Sequence, residues 1–417
     1  MLAVSCTRET DPPPATSSPA AAGAAAEGSS NPVPDPKAGW IARQRERGWA
    51  LLLQVTGARP AFPASSEWFQ RLDAFASSPN LSGHSVQPGR MFLLLPRELE
   101  PPMTEAAPAE PPVYESTLYN AAARRHILLH HLQEPRTTQA LLNARRREID
   151  EFPPEAMVLK AFWRPVSASQ VPVGVWTWKG WPKNPPTIKE SQWEGYTGIP
   201  AECVVDGLAS DSCLSADGNF IMSTTDDIQV KCVEKNCPEV VPGQKLILLG
   251  LHIASKERPD WFWATFWWRG GRVPRTNGDA WTCDNAQRPE TLKHGLWSNY
   301  SMDVSTSFEL SKPEVTGPDL AECGLPAPVG AVNEELLAAY NPFVEGIAEF
   351  GRKSSCIDCH GRASTYPKNL TVMPPITTAD DSYPGLRDFQ GHIRTDYLWS
   401  VARRLAETKE PDYHDGK

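Results

Sequence analysis

The sequence predicts an α+β protein: a helical N-terminal region, a Trp-rich antiparallel middle domain of β-sandwich-like build, and a small α-helical C-terminal domain. Three observations carry that expectation. Apolar residues recur at helical spacing between 39 and 151, short alternating or wholly apolar runs take over from 152 to 311, and helical spacing returns after 334. The boundaries follow as a Pro/Ala/Ser-rich tether at 1–38, a mainly helical region at 39–151, a β-rich domain at 152–311, a Pro-rich linker at 312–333 and the C-terminal domain at 334–417. With 417 residues, 40% of them hydrophobic, the chain can build ordinary cores in two or three units.

The N-terminus reads Met1-Leu2-Ala3-Val4-Ser5-Cys6 and is followed by Pro, Ala, Ser, Gly and Thr to Pro36. A cysteine after small residues and ahead of such a tether is the arrangement around a bacterial lipidation site, so Cys6 is the expected acceptor. Ala3 stands where a larger aliphatic is usual, and no charged start or apolar core precedes Cys6, so the true start is expected upstream. The tether cannot bury a core and is expected to be disordered. No run reaches the roughly 18 apolar residues of a membrane span, which leaves lipid as the route to a membrane. A formal net charge of −9 argues against nucleic acid, whose partners are usually basic.

In order along the chain, Ala38 to Leu53, Ser116 to Leu132 and Thr137 to Ile149 place their apolar residues near one helical face. His126 and His130 stand at i and i+4, a spacing that can hold a metal. Arg124 and Arg125 beside them favour a solvated basic face instead. Strands are expected at Ala156–Trp163 and Val171–Trp178, and a β-hairpin at Lys245–Ser255 and Trp261–Arg269 around the loop Lys256-Glu257-Arg258-Pro259-Asp260. Both faces of the second hairpin strand are apolar, which predicts a central strand covered on both sides. Its tryptophans read as core filling, and His252 reads as a buried polar contact, with ligation as the other reading. Residues 281 to 310 bring an irregular loop and one more strand. Glu334 to Tyr340 and Asp396 to Thr408 read as helices.

Between those last two stretches stands Cys356-Ile357-Asp358-Cys359-His360, a Cys-x-x-Cys-His pentapeptide. This is the spacing of a c-type haem attachment site: two thiols three positions apart each form a thioether to one vinyl group, and the next imidazole lies under the iron. A zinc site would want a second Cys or His pair nearby, and none follows. A thioredoxin-like motif would sit in a βαβ unit, and no such alternation surrounds it. Here the chain resembles the c-type cytochromes. The order of Trp-Ala-Thr-Phe-Trp-Trp at 263–268, Trp297-Ser298-Asn299-Tyr300, Asn341-Pro342-Phe343-Val344-Glu345-Gly346, the pentapeptide and Thr395-Asp396-Tyr397-Leu398-Trp399-Ser400 is similar to a group of exported bacterial monohaem cytochrome c family proteins. That resemblance runs from about residue 150 to the end. It implies one covalent haem c held by Cys356, Cys359 and His360 in a cytochrome c-like C-terminal domain, and it brings no established reaction with it.

The remaining cysteines sharpen the compartment. Besides Cys6, Cys356 and Cys359, the nine include Cys203, Cys213, Cys232, Cys237, Cys283 and Cys323, an even six in loop-like sequence. Disulfides in an oxidising, periplasmic or outer-membrane-associated setting are expected. A haem needs a dry apolar wall, and one face of the Trp-rich strand offers a surface on which the haem domain can dock. Met373 is the leading candidate for the distal ligand, thirteen residues after His360, and His392 is the second; an open iron is the third reading. The functional readings are electron transfer to or from an unidentified redox partner protein, a haem enzyme that handles peroxide or oxygen, and a β-domain binding module carrying the haem as an appendage.

Overall fold

One antiparallel sheet meets the strand signals of the middle region and extends beyond them at both ends. The computed structural model describes residues 36–57, 68–70, 74–75, 114–134, 136–166, 173–176, 196–199, 222–224, 245–268, 287–307, 336–337, 341, 356–366, 371–372, 389 and 391–406. Cys6, the tether through residue 35, the six middle cysteines and Met373 lie outside them.

In chain order the elements are helix α1 (Pro36–Thr56), strands β1 (Phe69–Gln70) and β2 (Tyr114–Tyr119), helices α2 (Ala121–Leu129) and α3 (Arg136–Asn143), and strands β3 (Met157–Val166), β4 (Val173–Trp176), β5 (Tyr196–Ile199), β6 (Met222–Thr224), β7 (Lys245–Ser255) and β8 (Phe262–Trp268). Then come helix α4 (Glu290–Lys293), a 3₁₀ turn (Leu296–Asn299), β9 (Tyr300–Ser307), β10 (Leu336–Leu337), helix α5 (Cys356–Gly361), β11 (Ser364–Tyr366), β12 (Thr371–Val372), β13 (Ile393–Arg394) and helix α6 (Trp399–Ala406). The eight-stranded sheet has the order β1-β2-β3-β7-β8-β9-β10, with β6 also paired to β7. β12-β11-β13 and β4-β5 form smaller sheets.

The expected hairpin is present as β7 and β8, and every residue of β8 is buried. Two expected helices are corrected. Ser116–Leu132 is instead a strand to Tyr119 and then a helix from Ala121, because Tyr114–Tyr119 pairs residue by residue along β3. Asn120 ends the strand and caps the helix, its side chain accepting from the Ala123 N–H at 3.0 Å. Within Glu334–Tyr340, Leu336 and Leu337 pair with Ser307 and Thr306 on β9, an apolar pair satisfying a sheet edge. Helix α6 starts at Trp399 rather than Asp396, since Asp396 and Tyr397 have φ of 45° and 66°, which no helix accepts.

Register sets what each sheet face carries. On one face, Leu118–Leu159–Ile253–Ala264–Val304 and Ser116–Ala161–Leu251–Phe266–Met302 run across five strands. Helix α1 lies on it, with Trp49 edge-on to Phe266 at 5.4 Å between ring centroids. On the other face the rows are Tyr119–Val158–Ala254–Trp263–Ser305, Thr117–Lys160–His252–Thr265–Asp303 and Glu115–Phe162–Gly250–Trp267–Ser301. The first of these rows is apolar from Tyr119 to Trp263, and α5 and α6 bury Cys356, Ile357, Val401 and Leu405 in the same core cluster as it. Pro36–Lys417 is thus one compact unit, with its C-terminal helices sharing a core with the sheet.

Helices α2 and α3 hold α6 in place. Thr138 Oγ1 donates to the Leu405 carbonyl at 2.9 Å and Arg404 Nε to the Gln133 carbonyl at 2.7 Å. The turn after α3 extends the small sheet, with the Arg394 N–H donating to the Arg147 carbonyl and the Ile149 N–H to the Arg394 carbonyl.

Close approach of α1 to the sheet depends on Gly48, where an added Cβ would lie 2.7 Å from Val304 Cγ1 and 3.0 Å from Met302 Sδ. Both neighbours are buried and have little freedom to retreat. Gly48→Val is therefore expected to cost about 1–3 kcal/mol by overpacking. Urea denaturation beside the wild type measures it, and Gly48→Ala should cost less.

Candidate functional site

The pentapeptide forms α5, so Cys356 and His360 are four positions apart on a helix and share a face, with Cys359 adjacent at i+3. Cys356 is 4% exposed. The imidazole of His360 lies on the Trp263 ring, 4.2 Å between centroids and tilted by 40°. The helix thereby docks on the Trp-rich strand, as one face of β8 allows.

A second contact fixes which nitrogen of His360 carries the proton. Nδ1 is 2.8 Å from the Tyr397 carbonyl, an acceptor, so Nδ1 donates and Nε2 keeps its lone pair. Among the described residues no hydrogen bond reaches Nε2. Burial pushes the pKa of His360 down to about 4; the Tyr397 carbonyl pulls against that shift. His360 is therefore neutral at ordinary pH and presents an unshared pair on a fixed ring, the condition for a metal-ligating imidazole.

The Tyr397 carbonyl is itself held by a buried ion pair. Lys256 Nζ lies 2.7 Å from Asp396 Oδ1, with side chains 3% and 6% exposed, and the Phe152 N–H donates to Asp396 Oδ2 at 2.8 Å. Lys256 also donates to the Pro259 carbonyl within its own hairpin loop. Burial raises the pKa of Asp396, while Lys256 and the Phe152 N–H oppose that rise. The hairpin turn of β7 and β8 thus clamps the left-handed Asp396–Tyr397 turn, which aims a carbonyl at His360.

Around His360 the sheet face is polar. Lys160 pairs with the buried Glu115 at 2.8 Å, and the charges of both act on His360. Asn341, fully buried, donates from Nδ2 to Thr265 Oγ1 at 2.8 Å and to the Phe266 carbonyl at 3.1 Å. His252 shares their row and is held well below its ordinary pKa by burial, with the charges of Lys160 and His360 adding to that effect.

Of the expected site residues, the structure places Cys356 and His360 together on the sheet face; Cys359 is on the same helix. His392 stands apart. Its Nδ1 is 3.3 Å from Ser364 Oγ and its ring packs on Tyr366 at 5.0 Å. The expected solvated face at His126 is corrected: His126 is buried between His130 and Phe152, with ring centroids 4.2 and 4.3 Å away, and its Nε2 donates to the Asp150 carbonyl at 3.0 Å. Asp150 then takes His130 Nδ1 at 2.7 Å. Among the described residues no group of three or more His, Cys, Asp or Glu is placed to hold a metal ion on protein ligands alone.

Two pairs escaped the sequence reading, Glu115–Lys160 and Lys256–Asp396. Lys256 stands directly after the largely apolar β7, at the start of the hairpin loop. Nothing in the chain named its partner 140 residues away.

No family model, curated protein or solved structure matches the chain. A buried thiol and an imidazole whose Nε2 has no hydrogen bond among the described residues share one helix face against a tryptophan wall.

Lys256→Met leaves the Asp396 carboxylate buried without its cation and is expected to cost about 3–5 kcal/mol. Lys256→Met with Asp396→Leu should recover part of that loss, and a double-mutant cycle in urea reads the coupling.

His126 gives a pH dependence. Its pKa falls from 6.5 to about 4 on folding, chiefly by burial, so the folded state resists a proton that the unfolded state accepts. The stability is present above pH 6.5 and is lost as pH drops toward 4. Thermal melts across that window should show a smaller decline for His126→Asn than for the wild type.

Proposed function

We propose that this chain is an extracytoplasmic c-type cytochrome carrying one haem c, attached through Cys356 and Cys359 with His360 as an axial ligand, and that it transfers electrons to or from a redox partner protein. The observation that carries this reading is the state of His360: neutral, oriented through Nδ1 by the Tyr397 carbonyl and unbonded at Nε2. Each thiol adds its S–H across a vinyl double bond, so attachment consumes no oxidant. The bound group would supply a one-electron couple whose potential depends on the axial ligands and on burial. The chain's own residues orient the imidazole, enclose it against Trp263 and set charge beside it through Glu115 and Lys160.

The finer architecture in this reading is a sandwich-like β region with a cytochrome c-like C-terminal segment. Export with lipidation at Cys6 belongs to the same proposal, as does the absence of a nucleic-acid partner. No helix among the described residues is long and apolar enough to cross a membrane.

Purification from a host competent in cytochrome c maturation tests the reading. The denatured mass is expected to exceed the polypeptide by one haem, and that increment should vanish when Cys356 and Cys359 are both replaced by alanine. A polypeptide mass with no increment sinks the proposal. Carbon monoxide then separates the roles: an inert reduced protein fits electron transfer, whereas rapid binding favours a haem enzyme.

A further inference from the structure

We propose that the Lys256–Asp396 ion pair sets the redox potential of the haem, as a positioning pair that acts on His360 through the Tyr397 carbonyl. The inference rests on the haem reading above and deepens it. The pair is a poor device for stability alone, because burying two charges costs much of what their attraction returns and an apolar pair of similar volume often does as well. Nor is it what brings the turn to α5. The Thr395 N–H and Oγ1 both reach the Ala363 carbonyl, at 3.0 and 2.9 Å, and the Ala363 N–H donates to the His360 carbonyl at 2.9 Å. Those bonds dock Thr395 beside the end of α5 without help from residue 256. What the pair adds is the conformation of the next two residues.

Asp396 and Tyr397 hold φ of 45° and 66°, a region that L side chains rarely enter. Asp396 is gripped from two elements, with Lys256 Nζ 2.7 Å from Oδ1 and the Phe152 nitrogen 2.8 Å from Oδ2. The Pro259 carbonyl holds Lys256 in turn. With both carboxylate oxygens fixed, the Tyr397 carbonyl that follows stands 2.8 Å from His360 Nδ1. Hydrogen bonds weaken steeply as their geometry departs from the best values, so the grip on Asp396 sets the strength of this one. An imidazole that donates from Nδ1 is a more basic ligand at Nε2. Electron density pushed toward the iron favours iron(III), the more highly charged state, and lowers the potential; hydrogen bonding behind the axial ligand is one of the protein's levers on it. Releasing the turn therefore raises the potential.

Matured wild type, the double variant Lys256→Met/Asp396→Asn and a Gly48→Val control decide the matter. In the double variant both charges leave together, so the net charge at the turn is unchanged and a shift in potential reports the hydrogen bond. Asparagine keeps an oxygen for the Phe152 N–H and accepts left-handed backbone, which favours a folded protein. The double variant is expected to keep its haem by denatured mass, to show a higher midpoint potential, and to exchange the His360 Nδ1 proton with solvent faster by NMR. Gly48→Val loses stability by overpacking the opposite sheet face, away from the turn, and its potential and exchange should match the wild type. An unchanged potential or an unchanged exchange rate in the double variant overturns the proposal, and so does an equal upward shift in Gly48→Val. Loss of haem from the double variant alone makes the pair a folding requirement and overturns it too. A wild type lacking covalent haem overturns the haem reading along with it, and the mass measurement distinguishes the two failures.

Discussion

The Lys256–Asp396 ion pair is the constraint on which the geometry around His360 depends. Both charges are almost completely removed from water, so each is tolerable only in the presence of the other and of the hydrogen bonds that finish them, to Pro259 and from Phe152. The pair ties the β7–β8 turn to the turn before α6. That second turn contains two consecutive non-glycine residues in the left-handed region, a conformation the chain does not choose locally. Its product is a carbonyl aimed at His360 Nδ1. Trp263, three residues past the clamped loop, supplies the surface on which the same ring rests. One hairpin therefore fixes both the face and the tautomer of the imidazole.

Sheet register does the rest. Because side chains alternate, the β7–β8 pairing that puts Phe266 and Ile253 under α1 necessarily puts His252, Thr265 and Trp263 on the opposite face, where α5 docks. A one-residue slip of β8 against β7 would exchange the faces of β8 and turn Trp263 and Thr265 toward α1. The buried tryptophan packing around Trp49 thus protects the composition of the site as well as the core.

The sequence made the central hairpin legible because its two strands are long, largely apolar and joined by a loop too polar to continue either. It made α1 legible by its spacing and the pentapeptide by its rarity. It hid the rest for identifiable reasons. Tyr114–Tyr119 runs directly into a helix through Asn120, so the apolar spacing of the two elements merges into one apparent helix. Leu336 and Leu337 are too few to show a period, and only the free edge of β9 makes them a strand. His126 was misjudged because neighbouring arginines describe the solvated side of a helix while Phe152, beyond α3 in sequence, closes the other. Lys256 and Asp396 are each ordinary loop residues until tertiary structure brings them together.

The turn before α6 is where local rules fail most plainly. Asp396 and Tyr397 are consecutive non-glycine residues with φ of 45° and 66°, and the Asp396 carboxylate is buried. Strain of this kind persists when the surrounding structure over-determines it. Here Lys256 and the Phe152 N–H do so from two separate elements, and what the held turn yields is a carbonyl directed at His360 Nδ1. The cost of the turn and the orientation of the imidazole are therefore linked: a change that releases Asp396 removes the constraint on Tyr397 and with it the hydrogen bond that fixes the ring.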